Sequence, residues 1–371
     1  MIKYNVGIIG LGGAGLVLLE KFNKRNECEV IAVLDTEKVS NRLKKDNFIS
    51  FYDNKENFFK QDIQIVVVSS PDSTHSDYVI ECINRGIHVL CEKPLTNSNS
   101  QVDLILKAKN NNPHVKVMVQ HQMRNIPLFE SIKKIIDSNK LGTIGYIEGY
   151  YVHNLTERAF VNHNWRNDEV ATPLIYSGIH FIDLIMWMTN EKPYEVFCYA
   201  NNLMFPEYAE SDLNVLLMKF NSGKIAKVVT AFGVSRPQDH SLQVYGNKAS
   251  IHNNTIFKDK SFNFIQKPIS ESFKDSKSGM IKFFIISSFF HVFKFLMKLY
   301  PNNDQYLMSF FPFRFYEHQY AVSKSVDQFM DSIIYNKDEK IPLIETANAV
   351  KVAVAGVESF REGKPVTINW D

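Results

Sequence analysis

Between Tyr4 and Gln120, short runs of β-branched and other apolar residues alternate with segments whose apolar positions follow helical spacing. That alternation is the mark of parallel strands joined by crossover helices. The pattern predicts strands at Tyr4–Ile9, Glu29–Leu34, Ile63–Ser69, His88–Cys91 and Lys116–Gln120, with helices at Ala14–Asn23, Asp77–Arg85 and Ser98–Asn110. Together they make a doubly wound α/β sheet.

Beyond Arg124 the rhythm changes. After a helix at Leu128–Ser138, strand-like segments follow at Thr143–Val152, Tyr194–Asn201, Asp212–Phe220, Ile225–Phe232 and Ser241–Tyr245, interrupted by an apolar helix at Ile179–Met188. Gly223 and Gly246 mark hairpin-type turns. Helices at Tyr320–Tyr335 and Glu345–Glu362 close the chain. The expected organisation is a Rossmann-type domain over residues 1–123 and a second α/β domain over 124–371, the latter with an open, mostly antiparallel sheet.

The 371 residues carry 42 Lys+Arg against 40 Asp+Glu, a net charge of +2 that provides no field to gather nucleic acid. Cys28, Cys82, Cys91 and Cys198 show no CxxC pair and no metal-ligand spacing with the histidines, so they read as reduced thiols and no metal site is expected. The N-terminal MIKYNVGIIG enters a strand without a basic region and long apolar stretch, so no secretory leader is expected and a cytoplasmic protein is.

Gly10-Leu11-Gly12-Gly13-Ala14-Gly15 links the first strand to the first helix. In that context the glycines permit a tight turn, close approach to a pyrophosphate and close helix–strand packing, while the helix N-terminus offers free N–H groups to the anion. Asp35 ends the second strand, where a carboxylate accepts hydrogen bonds from an adenosine ribose. NAD is therefore expected, with NADP the alternative because Lys38 and Arg42 lie nearby.

Cys91-Glu92-Lys93-Pro94-Leu95 ends another parallel strand. With the glycine turn, Ser69–His75 (SSPDSTH), Leu141–Gly149 (LGTIGYIEG), Asn164–Arg166 (NWR) and Ser177–Asp183 (SGIHFID), it resembles the Gfo/Idh/MocA oxidoreductases, over residues 1 to 250 and again from 317 to 368. The resemblance implies hydride transfer at a nicotinamide between the two domains, to or from a secondary alcohol or ketone of a sugar. Cofactor contacts are then expected from Ser70, Pro71, His75, Glu92 and Lys93, in addition to the glycine turn. Lys93 matches the lysine of the family's Glu-Lys-Pro motif, and His180 and Asp183 match its second-domain signature. Arg124, His153, Trp165, Arg166 and His180 fall where substrate contacts are expected, with Tyr151 beside them. The resemblance also implies a homodimer or homotetramer.

One departure stands four residues before His180. Many sugar dehydrogenases of the family carry aspartate there, whereas this chain has Tyr176, as some ketoreductases do; the upstream glycine pair is replaced by Ala171-Thr172-Pro173. A nearby ammonium stabilises a phenolate. Tyr176 is therefore expected to exchange the proton, Lys93 to steady the alkoxide, and His180 to bind or relay.

Phenylalanine is unevenly spread: ten of 28 lie between Phe283 and Phe315, in an insertion expected at about residues 260–316 that the family does not account for. Within Met280–Leu299 the longest lysine-free run is Phe283–Phe293, short of the ~20 residues a membrane span needs. On a helical wheel Ser287, His291, Lys294 and Lys298 share an arc opposite Ile281, Phe289, Phe290, Phe293 and Leu296. Such a helix fits packing within the protein or oligomer, a membrane interface, or a lid over the substrate. The expected function is an NAD(P)-dependent oxidoreductase acting on a nucleotide- or lipid-linked sugar. Alternatives are a redox-neutral isomerase or glycosidase and a cofactor-bound regulator.

Overall fold

The computed structural model describes residues 3–35, 49–154, 172–208, 210–236, 238–259, 261–265 and 314–370. The Phe-rich stretch Met280–Leu299 lies outside the described residues, as do Lys38, Arg42, Asn164, Trp165, Arg166 and Ala171.

The first sheet comprises β1 (Tyr4–Ile9), β2 (Cys28–Leu34), β3 (Ser50–Tyr52), β4 (Ile65–Val68), β5 (His88–Cys91) and β6 (Val117–Val119), ordered β3-β2-β1-β4-β5-β6 with every pair parallel. Both of its faces are buried, which is why its strands read as continuous apolar runs: Ile65, Val66, Val67 and Val68 are all fully enclosed. Side chains alternate between two cores. Ile9, Val66, Val68, Val89 and Val117 face α3 (His75–Asn84) and α4 (Asn99–Asn111), in a core that continues into the second sheet.

Val6, Ile8, Val30, Ile65, Val67, Leu90 and Met118 face the opposite way. There α1 (Gly13–Asn23) contributes Leu18 and Phe22, and the late helix α7 (Arg314–Ile334) contributes Val322, Val326, Phe329 and Met330. A helix near the end of the chain thus covers a face of the first sheet. Its partner could not be read from its own periodicity.

Among the described residues the second sheet has nine strands. They are β7 (Ile144–Val152), β8 (Pro193–Asn201), β9 (Leu213–Phe220), β10 (Ile225–Ala231), β11 (Asp239–Gly246), β12 (Ser250–His252), β13 (Thr255–Lys258), β14 (Ser261–Phe264) and β15 (Val366–Thr367), ordered β14-β13-β12-β11-β7-β10-β9-β8-β15. Only β7 and β10 pair in parallel. The expected mixed, mostly antiparallel sheet is what forms. It extends further than expected, because β12–β14 and β15 are too short to show a period, and β14 falls inside the range 260–316 taken for the insertion.

Of the remaining helices, α2 (Lys55–Phe58) follows β3, α5 (Pro127–Asp137) precedes β7, and α6 (Ile179–Thr189) and α8 (Leu343–Glu362) lie on one face of this sheet. Gly149 of β7 allows the contact, since a Cβ there would sit 2.3 Å from the Phe181 ring. Gly356 of α8 performs the same service against Leu174 and Leu216. Ahead of α6 the chain makes one π-helical turn, Leu174–Gly178, a local widening that often accompanies functional sites. It carries Tyr176.

Candidate active site

Strand order reverses between β1 and β4, so the carboxyl ends of those strands frame the crevice where open α/β sheets bind ligands. Gly10 follows β1 with φ +85°, and a Cβ on it would lie 2.5 Å from the Ser70 backbone nitrogen. Only glycine fits that turn. The Ser69 hydroxyl donates to the Gly10 carbonyl at 2.6 Å, tying the two strand ends together, and Gly15 has Gly10 O where its Cβ would be, at 2.2 Å.

Gly12 and Gly13 differ, because a Cβ on either meets nothing within 4 Å. These two present bare backbone to open space at the first turn of α1, beside Ala14 and the unsatisfied N–H groups of the helix start. Asp35 Oδ2 accepts from the Leu11 amide at 2.7 Å, which sets the carboxylate at the mouth of the same turn. The residues fit a dinucleotide: an anion cradle at the helix N-terminus with an acid at the adjacent strand end.

Lys93 follows β5 on the same sheet edge, and its ammonium donates to the Tyr176 carbonyl at 2.9 Å while lying 4.0 Å from the centroid of the Tyr176 ring. The lysine and tyrosine expected to cooperate are thus brought together. Their contact runs through the ring face and main chain. Glu92, although it reaches solvent in part, has its carboxyl pushed up to about 7 by burial, against the opposing pull of Lys93.

His75 is fully buried, with Nδ1 2.7 Å from Pro94 O and Nε2 2.9 Å from Ser70 O. Both ring nitrogens are occupied by main-chain carbonyls, so His75 ties the loops after β4 and β5 together. Ser70 Oγ pairs with Thr74 Oγ1 at 2.7 Å, with Pro71 leading the short helical turn between them.

Arg124, for which a substrate contact is expected, turns its guanidinium to two carboxylates. Arg124 is 5% exposed and grips Asp183 with two parallel bonds, Nε to Oδ2 at 2.8 Å and Nη2 to Oδ1 at 2.6 Å, while Nη1 pairs with Glu345 of α8. This bidentate pair joins the end of the first sheet to α6 and α8, and both partners are spoken for.

His180 is buried, and burial, reinforced by Lys93, His121, His240 and His318, holds it well below the ordinary imidazole range, so it is neutral at neutral pH. Its ring is parallel to Tyr151 of β7 within 8°, at 5.5 Å, and the Tyr151 ring also stacks on His240 of β11 at 4.1 Å. His153, one residue past β7, donates its backbone N–H to Ala231 O. Sequence reasoning did not single out His121, which follows β6. The only available signal was the spacing His121-x-x-Arg124 at the end of the last parallel strand. Among the described residues no cluster of His, Cys, Asp or Glu is suited to a metal ion, and no helix is long and apolar enough to cross a membrane.

Two family profiles match: the oxidoreductase family's NAD-binding Rossmann fold over residues 4–121, and its C-terminal alpha/beta domain over residues 133–368. The chain belongs to the Gfo/Idh/MocA oxidoreductase family. It is 29% identical over 188 residues to Oxidoreductase P35 of Formosa agariphila, covering 49% of this chain and 57% of that protein. With Inositol 2-dehydrogenase of Rubrobacter xylanophilus it shares 24% over 251 residues, 66% of this chain and 70% of the relative. With 2,7-anhydro-N-acetylneuraminate hydratase of Escherichia coli it shares 25% over 252 residues, 67% and 66% of the two chains.

The solved structure of scyllo-inositol dehydrogenase from Lactobacillus casei with bound NAD(H) and scyllo-inositol superposes with a TM-score of 0.75 at 17% identity, covering 98% of this chain and 99% of the other. At that identity the likeness is one of fold.

Proposed function

We propose that the protein is an NAD-dependent dehydrogenase that oxidises a secondary alcohol of a cyclic polyol or sugar. The observation that carries this reading is Lys93: a cation fixed by the Tyr176 ring and carbonyl, on the same sheet edge as the glycine cradle. NAD, when bound, supplies the hydride acceptor. The chain's own part is to place the carbinol oxygen beside Lys93, whose charge stabilises the oxygen as it becomes an alkoxide. Neutral His180 has the protonation state needed to accept the hydroxyl proton.

Tyr176 is a platform for Lys93 in this reading. The likeness to enzymes named for inositol supports a cyclic polyol. The narrower substrate, a nucleotide- or lipid-linked sugar, depends on Trp165 and Arg166 as handles for its distal group.

Purified protein incubated with NAD⁺ and myo-inositol, scyllo-inositol, free sugars and nucleotide sugars should form NADH with at least one of them. No reduction with any alcohol and no change in any sugar would overturn the reading. A second reading is favoured by the relationship to the hydratase, whose named reaction has no net redox change: conversion of a sugar, seen by mass spectrometry, without accumulation of NADH would select it.

A further inference from the structure

A lysine ammonium has three N–H donors, and Lys93 gives one of them to the Tyr176 carbonyl at 2.9 Å. The Tyr176 ring, its centroid 4.0 Å from Nζ, takes one side of the cation. Where the other two donors point is therefore set by where that ring stands. Among the described residues the ring packs in an aromatic cluster separate from the two main cores: Tyr208 and Phe232, both buried, with Tyr176 and Phe205 against them.

Phe232 stands one residue beyond β10. Its ring meets that of Tyr176 at 80° with centroids 6.4 Å apart, the perpendicular arrangement that aromatic pairs favour. Tyr208 follows, 6.3 Å from Phe232, and Phe205 lies parallel to Tyr208 within 7° at 6.0 Å. Both tyrosine and phenylalanine belong to the loop between β8 and β9. That loop is anchored at the strand end that carries Phe232. Asp212 is fully buried; its Oδ2 accepts from the Met204 amide at 2.6 Å and from the Phe205 amide, and its main-chain carbonyl accepts from the Phe232 amide at 2.9 Å. Asn202 Nδ2 donates to the Tyr208 carbonyl at 2.7 Å. Gly233 lets the loop close down, since a Cβ there would lie 2.8 Å from the Met204 carbonyl carbon.

Resting on the dehydrogenase reading, we propose that Phe232, backed by Tyr208, is the positioning residue that holds the Tyr176 ring against Lys93. The β8–β9 loop of the second sheet thereby fixes the cation that steadies the alkoxide. A close-packed ring cannot turn without displacing its neighbours, so the ammonium needs no reorganisation as charge develops on the substrate oxygen. Without the Phe232 ring, the Tyr176 side chain gains room to turn. Lys93 then keeps its charge and loses its aim.

Two measurements test this. In full-length protein labelled with ¹³C-lysine, the ε-methylene protons of Lys93, assigned by their loss in Lys93→Arg, should resonate upfield of the other lysines because Nζ stands over the Tyr176 ring. Phe232→Leu keeps an apolar side chain and removes the ring, and it should return these protons at least half-way to their position in Tyr176→Ala. That readout needs neither substrate nor turnover. Unmoved protons in folded Phe232→Leu would overturn the proposal.

The second measurement is steady-state turnover with NAD⁺ and myo-inositol, or scyllo-inositol if wild type prefers it. Phe232→Leu should lower kcat at least about threefold, and by no more than Tyr176→Ala does, with polyol KM and NAD⁺ Kd within about twofold of wild type. In the Tyr176→Ala background the same substitution should change kcat by less than about twofold, because residues that act through one contact do not add. Losses that multiply in the double variant would show Phe232 acting independently of Tyr176 and overturn the proposal. Tyr208→Leu, in the same cycle, serves if Phe232→Leu does not fold. Wild type inert towards every alcohol, but with upfield Lys93 protons that Phe232→Leu releases, would mark the dehydrogenase reading as the failure and leave the positioning of Lys93 standing.

Discussion

Replacing Tyr176 separates two roles that a tyrosine at this position can play. The Lys93 ammonium sits 4.0 Å from the ring centroid and donates to the residue's carbonyl at 2.9 Å. Tyr176→Phe keeps ring and carbonyl and deletes only the hydroxyl, so kcat should stay within about threefold, a cost of roughly 0.6 kcal/mol. Tyr176→Ala keeps only the carbonyl. A cation–π contact is worth about 0.5–1 kcal/mol exposed and about 2 when desolvated, and this one is partly buried. At ~1.4 kcal/mol per tenfold, Tyr176→Ala should cost about two- to thirtyfold in kcat. The assay is steady-state NADH formation with NAD⁺ and a cyclic polyol, with NAD⁺ binding followed separately. A loss of a hundredfold or more in Tyr176→Phe would refute the platform and make the phenol the proton-exchanging group.

Other perturbations have equally definite outcomes. Gly12→Ala, with open space around its Cβ, should leave the melting temperature unchanged yet weaken NAD⁺ binding at least tenfold by isothermal titration, whereas Gly10→Ala, forced against Ser70 at positive φ, should lose stability as well. Gly149→Ala drives a methyl into the Phe181 ring, and urea unfolding should show a loss of about 1–3 kcal/mol. Glu92 is an acid raised by burial from 4.5 to about 7, so its burial favours folding below the lower value and this advantage disappears as pH rises through the upper one. Wild type should therefore lose up to about 3 kcal/mol relative to Glu92→Gln between those limits, seen in denaturation at a series of pH values. A difference independent of pH would contradict that placement of Glu92.

The framework of this protein was open to reading because its strands are short and strongly apolar. β1 and β5 begin and end where the runs Tyr4–Ile9 and His88–Cys91 do, and the glycine turn between β1 and α1 has the geometry its spacing implies. What escaped has physical reasons. β3, β12–β14 and β15 span only two to four residues each, too few for an alternation to register. α7 shows helical periodicity, but periodicity does not name the surface it covers, and that surface belongs to the first sheet.

In the site, Lys93 and Tyr176 meet as their motifs imply, yet through ring and carbonyl rather than through side-chain tips. Arg124 and His75 carry chemistry-bearing groups at expected positions and spend them on Asp183, Glu345 and two main-chain carbonyls. Those bonds connect residues as far apart in sequence as Arg124 and Glu345, and nothing local announces them. His121 was overlooked for the same reason, since its significance comes from the Asp183 carboxylate, which the fold brings beside it.

Lys93, on the sheet edge that carries the glycine cradle, is proposed to assist hydride transfer from a ring alcohol. Comparing NADH formation by wild type and Lys93→Ala, with NAD⁺ and a panel of inositols and sugars, tests it most directly. Wild type should turn over at least one alcohol, kcat should be lower by at least a hundredfold in the variant, and NAD⁺ affinity should hold within a few-fold. Turnover in Lys93→Ala equal to that of wild type would contradict it.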